Sequence, residues 1–495
     1  MLSSKGSFLP IMTDGKERNN DIKNKGNMAY LPEDFISYTT QLLGNERFLQ
    51  LSEALEKEPE VSVRLNPFKI NPDKATIINE NGRVAWCDHA WYLQQRPNFT
   101  FDPLLHAGVY YVQEASSMFL HQVLKQYVHT PIAMLDLCAA PGGKATTARA
   151  ALPQGSILFS NEPMRQRAQI LAENMQKFGH PEVIVTNNFP KDYAKSRLMF
   201  DVILSDVPCS GEGMFRKDEG ARDEWSLTNV DKCRQLQREI VADIWGNLKA
   251  GGLLVYSTCT FNDKENEQNV EWIAQELGAD ILPVTVEEAW NICPAINHAF
   301  PAYRFIPGTT RGEGLFMAVL RKHEKGEERV KKVNKKKDRG KQEKSQVAIP
   351  KQWIDNQQDY TYYIYKEQVN AFPTRHAEQY ETAQQTLKVI HAGITLGTIK
   401  GKDIIPDQSL ALSIDLNRQA FPSVDIDAGQ ALAFLRKESI TLPSDTPKGF
   451  VLLIHRNTPL GLVKNIGNRA NNLYPQEWRI KSTHTPEQNN IVIAL

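Results

Sequence analysis

The hydrophobic pattern divides the chain into stretches of different periodicity. Apolar positions three and four apart predict helices over Asp34–Leu43 and Glu46–Lys57, and a short β-rich run predicts a strand at Val61–Leu65. From about Pro131, apolar or β-branched runs alternate with helical segments. Ile132–Cys138, Ser156–Asn161, Val183–Thr186, Phe200–Ser205 and Gly252–Thr258 predict strands, while Met164–Phe178, Asn229–Leu248 and Glu265–Leu277 predict helices. Leu315–Arg321 supplies a last strand after a loop containing Pro307 and Gly308. Apolar strands separated by helices are what a parallel sheet covered on both faces requires. The middle of the chain is therefore expected to be an α/β, doubly wound sheet.

Between Arg321 and Lys344 the pattern stops. Twelve Lys and Arg stand there with five Asp and Glu, and nothing apolar could anchor a core, which predicts a linker. Beyond Pro350, Tyr360–Tyr365, Thr386–His391, Phe450–Ile454 and Ile491–Ile493 predict strands of a separate α/β or β-rich region. Residues 1–27 are polar and lack the apolar core of a signal peptide, so a disordered leader is expected, with structure starting near Met28. The expected organisation is leader 1–27, N-terminal α+β region 28–110, sheet domain 111–323, basic linker 324–349 and C-terminal region 350–495.

Composition narrows the class. The chain has 495 residues, 41% of them hydrophobic and 23% charged, which suits a soluble globular protein of about three domains. No run of about 18 apolar residues is present to span a membrane. The six cysteines form no CxxC pair and no cluster with zinc-ligand spacing, so free thiols, a reducing cytoplasmic setting and no bound metal are expected. Lys and Arg (58) balance Asp and Glu (58), which by itself argues against a nucleic-acid partner. That balance is an average: the linker is basic, so the remainder is acidic by the same amount.

Candidate chemistry gathers at strand ends. Met134-Leu135-Asp136-Leu137 runs into Cys138-Ala139-Ala140-Pro141-Gly142-Gly143-Lys144, a small-residue turn leading to an Ala-rich helix, as open sheets build a cofactor crevice. A P-loop would need Gly at 138 and Ser or Thr at 145, where this chain has Cys138 and Ala145, and the dinucleotide pattern GxGxxG is absent. The turn therefore suits a ligand with little or no phosphate. Glu162 ends the next strand, where an acid can take both hydroxyls of a ribose. S-adenosylmethionine, with a ribose and an adenine but no phosphate, fits both. Asp206 and Cys209 follow the fourth strand and Cys259 follows the fifth, so one acid and two thiols converge on the crevice. A thiol beside a methyl donor suits methylation of an unreactive ring carbon. A thiolate adding at cytosine C6 makes C5 nucleophilic, and an acid at N3 offsets charge on the ring. Adenine N-methylation would instead favour an [DN]-P-P-[YF] tetrad where Asp206-Val207-Pro208-Cys209 stands.

Ala139–Lys144, Asp206-Val207-Pro208-Cys209-Ser210-Gly211-Glu212-Gly213 and Ser257-Thr258-Cys259 resemble the Nol/Nop/Sun family of RNA cytosine-C5 methyltransferases. Val63-Arg64-Leu65-Asn66-Pro67, Tyr111–Ser117, Met214–Lys217, Asn465–Arg469 and Asn472–Pro475 extend the resemblance from about Met28 to the end. The resemblance implies a Rossmann-like S-adenosylmethionine-dependent sheet, a small N-terminal RNA-binding region and a C-terminal PUA-like RNA-binding domain. It implies that Cys259 attacks, that Cys209 assists proton removal and product release, and that Asp206 contacts the base and the donor side. Cys138, Ala139, Ala140, Pro141, Gly142, Gly143 and Lys144 would wrap the donor, with Glu162 on its ribose. The family often has an Asp near the adenine amine; Thr186-Asn187-Asn188-Phe189 offers amides there, leaving Asn188 as the candidate.

Arg64, Lys69, Arg216, Lys217, Arg222, Arg304 and the linker are candidate phosphate contacts, and Tyr110, Tyr111, Phe215 and Tyr303 are candidate stacking aromatics. The expected activity is RNA cytosine-C5 methylation by a monomer, with small-subunit ribosomal RNA as substrate. Transfer RNA is the alternative substrate, and a ribosome-assembly factor that binds RNA without catalysis is the alternative class.

Overall fold

The central strands alternate between two hydrophobic layers, and this sets the architecture. The structure, a computed structural model, describes residues 30–324, 347–483 and 491–494. The expected leader, and the expected linker between 325 and 346, lie outside the described residues. The central sheet contains β1 (Ala133–Asp136), β2 (Ile157–Asn161), β3 (Val183–Thr186), β4 (Phe200–Asp206), β5 (Leu248–Thr258), β6 (Ala279–Leu282), β7 (Tyr303–Phe305), β8 (Leu315–Lys322) and β9 (Val389–Ala392). Its order is β6-β8-β5-β4-β1-β2-β3-β9, with β7 paired to β8. The five strands from β5 to β3 are parallel; β8 and β9, on either side, run antiparallel to them, and β6 and β7 pair antiparallel with β8. This is a Rossmann-like doubly wound sheet, as expected. Met134, Leu158, Val202 and Val255 enter one layer, while Leu135, Phe159, Ile203 and Leu254 enter the other. Strand order reverses between β1 and β4, so the ligand crevice of such a sheet lies at their carboxyl ends.

Three helices matter for the site: α1 (Gly143–Ala151), α2 (Arg165–Phe178) and α3 (Leu227–Trp245). Ala168, Leu171, Ala172, Met175 and Phe178 are buried on α2 at helical spacing, so one stripe meets the sheet. The strand expected at Thr386–His391 in a separate region is instead Val389–Ala392 in the central sheet, because Thr386 ends a helix. Two further segments differ from the sequence reading. The helix expected over Glu265–Leu277 is helical only from Glu267, and its last turn widens to a π-helix over Ile273–Gly278. The strand expected from Gly252 begins at Leu248, across an irregularity in its pairing with β4.

The N-terminal residues form a helix pair, Glu33–Leu43 and Asn45–Leu55, and a four-stranded antiparallel sheet. Phe35 packs against Phe215 and Trp225, with ring centroids at 5.0 and 5.4 Å, so this helix pair braces the loop that follows β4. The residues after the linker form two further four-stranded sheets and also give β9 to the central one. Near the end of the chain, Ile493–Ala494 pairs with Thr76–Ile77. Val63, Trp91 and Leu104 thus share one core with Phe434, Leu453 and Ile493. From Leu31 onward the described residues form one compact unit. Among them, no helix is long and apolar enough to cross a membrane.

Ile493 is completely buried in this shared core. Ile493→Ala removes three carbons from a packed site, a change that costs roughly 2–5 kcal/mol. It is expected to lower the thermal midpoint by several degrees, measured by calorimetry on the full chain.

Candidate active site

The small-residue turn follows directly from β1. After Asp136 the chain passes through Cys138–Gly142 into α1, and the Ala139 N–H donates to Asn161 O at 2.8 Å, which ties the turn to β2. Gly142 has φ of 122°, a conformation that side chains disfavour. Arg64, from the N-terminal sheet, supports the start of α1 from behind. Its guanidinium donates to Gln113 Oε1 at 3.1 Å and Thr146 Oγ1 at 2.6 Å.

β4 and β5 end side by side, with Asp206 opposite Ser257. Ser257 Oγ donates to one Asp206 oxygen at 2.6 Å and Lys144 Nζ to the other at 3.0 Å. Burial alone would depress the Lys144 ammonium, but Asp206 outweighs it and holds Lys144 above its ordinary value. The loops beyond bring the sulfurs of Cys209 and Cys259 to 3.1 Å. The contact with Cys259, followed by burial, pushes the Cys209 thiol well above its ordinary value. Cys138–Pro141, Gly143, Lys144, Asp206 and Cys259 line one cleft, together with Tyr111, Met214 and Gly314. The loops meet closely: a Cβ on Gly213 would lie 2.8 Å from Cys259 O and 2.9 Å from Gly314 O. Glycine is required there by contact.

Glu162 is buried at the end of β2. One oxygen accepts the Met164 N–H at 2.9 Å; the other makes no hydrogen bond and lies 3.4 Å from Arg167. Burial raises its carboxyl. Asn188 stands at the end of β3, but its side-chain oxygen already accepts the Lys388 N–H at 3.0 Å. The adenine-side residue expected from sequence is thus engaged by the segment leading into β9.

Sequence reasoning missed three buried acids. Asp136 is wholly buried with neither oxygen hydrogen-bonded, and burial and then Asp206 push its carboxyl well up. Its signal was present: a charged residue closes an otherwise apolar strand. Glu212 accepts the backbone N–H groups of Phe261 and Asn262 at 2.5 and 2.9 Å. Glu265 accepts the Ser210 N–H at 3.1 Å and Gln237 Nε2 at 2.6 Å. Burial and then Glu212 raise Glu265 to about 7. Nothing in sequence alone shows that these loop acids are buried.

The basic residues expected to contact phosphate are mostly engaged inside the fold, which corrects that expectation. Arg64 and Arg304 are buried, the latter paired with Glu267. Arg216 binds both oxygens of Glu313 at 3.0 and 2.6 Å, Arg222 donates to Phe215 O at 2.7 Å, and Lys69 donates to Ala107 O and Lys177 O at 2.7 and 2.6 Å. Lys217 alone of the six stays exposed, beside the cleft. Tyr110, Phe215 and Tyr303 are buried in the core, whereas Tyr111 lines the cleft. Arginine beside a Gly-rich or aromatic motif reads as a nucleic-acid contact in sequence; its burial and its partner are tertiary facts.

Comparison with known families decides the relationship. Residues 123–321 match the family model for 16S rRNA methyltransferase RsmB/F, residues 31–115 the N-terminal domain of RsmF, and residues 421–480 the RsmF PUA domain. The chain belongs to the RsmF methyltransferase family. The ribosomal RNA small subunit methyltransferase F of Escherichia coli strain K12 is 27% identical over 483 residues, covering 91% of this chain and 96% of the relative. The Serratia proteamaculans protein of the same name is 26% identical over 476 residues, with the same coverage. A methyltransferase homolog from Pyrococcus horikoshii is 26% identical, with a TM-score of 0.50 over 58% of this chain and 93% of that one. NSun6 from the same organism, solved with SFG, is 18% identical with a TM-score of 0.52, over 60% of this chain and 100% of that one, and shares the fold. The RsmF PUA match falls on the last four-stranded sheet, so the C-terminal PUA domain implied by the resemblance is present.

The Glu265 environment has a measurable consequence for stability. Its folded-state proton affinity exceeds that of the unfolded chain, so stability is lost as pH rises from the ordinary carboxylate range through about 7. The loss is on the order of 3 kcal/mol at 1.36 kcal/mol per unit. Glu265→Gln is therefore expected to raise the thermal midpoint at pH 8 and to match the parent chain at pH 5, by parallel melts.

Proposed function

We propose that this protein transfers a methyl group from S-adenosylmethionine to C5 of a cytosine in 16S ribosomal RNA, through a covalent bond between Cys259 and C6. The observation that carries this reading is the pair of free thiols 3.1 Å apart, at the ends of neighbouring strands, beside the turn that suits a methyl donor. The relatives named for the ribosomal small subunit match over nearly their whole length, which supports the choice of RNA.

The residues fit the donor. Both Asp136 oxygens and one Glu162 oxygen are buried without a hydrogen bond, so the site offers unmatched acceptors. A ligand bringing an ammonium group and ribose hydroxyls satisfies them, and the Cys138–Lys144 turn accepts its methionine part. When bound, S-adenosylmethionine supplies an electrophilic methyl group. Glu162 holds the ribose hydroxyls, and Lys144 keeps Asp206 in place.

The remaining chemistry belongs to the protein and the base. Cys259 adds to C6 as the thiolate, and the electron pair moves toward N3, where the Asp206 carboxyl, bearing a proton, donates a hydrogen bond to the developing charge. C5 then takes the methyl group. Cys209 assists loss of the C5 proton; the C5–H pair rebuilds the ring double bond, and Cys259 leaves with the C6–S pair. An RNA-binding protein without catalysis has no use for two thiols in this cleft.

Cys259→Ala is expected to abolish methylation of 16S RNA taken from a strain lacking the gene, scored by bisulfite sequencing beside transfer RNA. Retained turnover overturns the mechanism, and modification confined to transfer RNA overturns the substrate. Cys209→Ala is expected to trap the RNA on the protein, as a slower band on a denaturing gel.

A further inference from the structure

The two thiols stand on separate loops, and neither cysteine lies within a helix or strand. Two buried carboxylates cross between them. Glu212 follows Cys209 by three residues yet grips the other loop. It accepts Thr260 Oγ1 at 3.0 Å, the N–H groups of Phe261 and Asn262 at 2.5 and 2.9 Å, and Trp225 Nε1 at 3.0 Å. Glu265 follows Cys259 by six residues yet grips the first loop. It accepts the Ser210 N–H at 3.1 Å across the gap, while Asn262 Nδ2 of its own loop donates to it at 2.8 Å. Gln237 completes this grip, donating to Glu265 at 2.6 Å and to Pro208 O at 2.9 Å. Glu265 therefore holds the backbone next to Cys209, and Glu212 holds the side chain next to Cys259 and the backbone that follows it.

Neither carboxylate is available to a substrate: neither lines the cleft, and all four of their oxygens already accept hydrogen bonds from the protein. Every hydrogen-bonding group aimed at them is a donor, an arrangement that favours an ionised acceptor. Placing two such acids together is costly, since burial and then Glu212 raise the Glu265 carboxyl. Stability alone does not call for this arrangement. What it supplies is a fixed sulfur-to-sulfur distance.

We propose that Glu265 and Glu212 are positioning residues for the two halves of the reaction, Glu265 setting Cys209 for product release and Glu212 setting Cys259 for attack. The division between attack and release rests on the function proposed above; the claim that the acids fix the thiol pair does not.

Two measurements on the full chain separate these claims. First, turnover and adduct are followed with 16S RNA. Glu265→Gln and Glu265→Ala are expected to slow turnover by roughly ten- to a hundredfold, as lost charged hydrogen bonds do, and to accumulate adduct as Cys209→Ala does. Glu212→Gln is expected to lose adduct formation itself. Binding of S-adenosylhomocysteine by calorimetry should stay within about twofold, because neither acid lines the donor cleft. Wild-type turnover without adduct in Glu265→Ala, when Cys209→Ala does accumulate it, overturns the proposal. Second, diamide oxidises Cys209 and Cys259 to a disulfide, taking up the two thiol hydrogens to become the hydrazine, and the cross-link is read by peptide mass. Glu265→Ala and Glu212→Ala are expected to slow this reaction. Unchanged rates in both overturn the positioning claim even if Cys209→Ala traps no RNA. Glu265→Gln keeps the side-chain volume, so loss of function in a protein that melts no lower at pH 8 rules out simple unfolding.

Discussion

The approach of Cys209 to Cys259 depends on the register of two adjacent parallel strands. Val202 lies opposite Leu253 and Asp206 opposite Ser257, so β4 and β5 end level with each other. A slip of one residue would turn Ile203 and Leu204 to the wrong layers and carry Asp206 away from Ser257 and Lys144. The hydrophobic alternation that fills the two layers is thus also what aligns the acid and the thiols. Packing and chemistry share one constraint, and neither layer can be altered without moving the site.

Around that aligned pair the protein gathers buried charge. Asp136, Glu162, Glu212 and Glu265 are all buried within the segments that form the site, and each is handled differently. Glu212 and Glu265 are satisfied by loop donors. Asp136 and one oxygen of Glu162 are left without hydrogen bonds. A buried acceptor with no donor costs roughly 1–3 kcal/mol, so the unmatched pair favours a partner that arrives with donors. The satisfied pair holds geometry instead. The same residue type at two depths of one site thus does two kinds of work.

Much of this was legible in the amino-acid sequence, and the limits have physical reasons. Buried parallel strands read as continuous apolar runs, so β1 to β5 were recognisable, and thiols at strand ends marked the cleft. Charge was less legible. Arg64, Arg216 and Arg304 were expected at a phosphate surface, yet each is held by partners far away in sequence: Thr146, Glu313 and Glu267. A residue's charge is local, whereas its burial is decided by contacts that no spacing rule contains. The widened turn at Ile273–Gly278 and the capture of Asn188 by Lys388 belong to the same class. Both arise where distant segments pack, and a periodicity of 3.6 residues does not report them.

The pairing of Thr76–Ile77 with Ile493–Ala494 also concerns the order in which the molecule can form. These partners are roughly 400 residues apart, and β9 likewise joins the central sheet from beyond the linker. At about 5–20 residues per second of synthesis, the N-terminal sheet waits tens of seconds for its last neighbour. The nascent chain therefore cannot finish one region before beginning the next, and its first strands stay incompletely covered throughout elongation. The N-terminal region is therefore completed only after the strand at Ile493–Ala494 has been made.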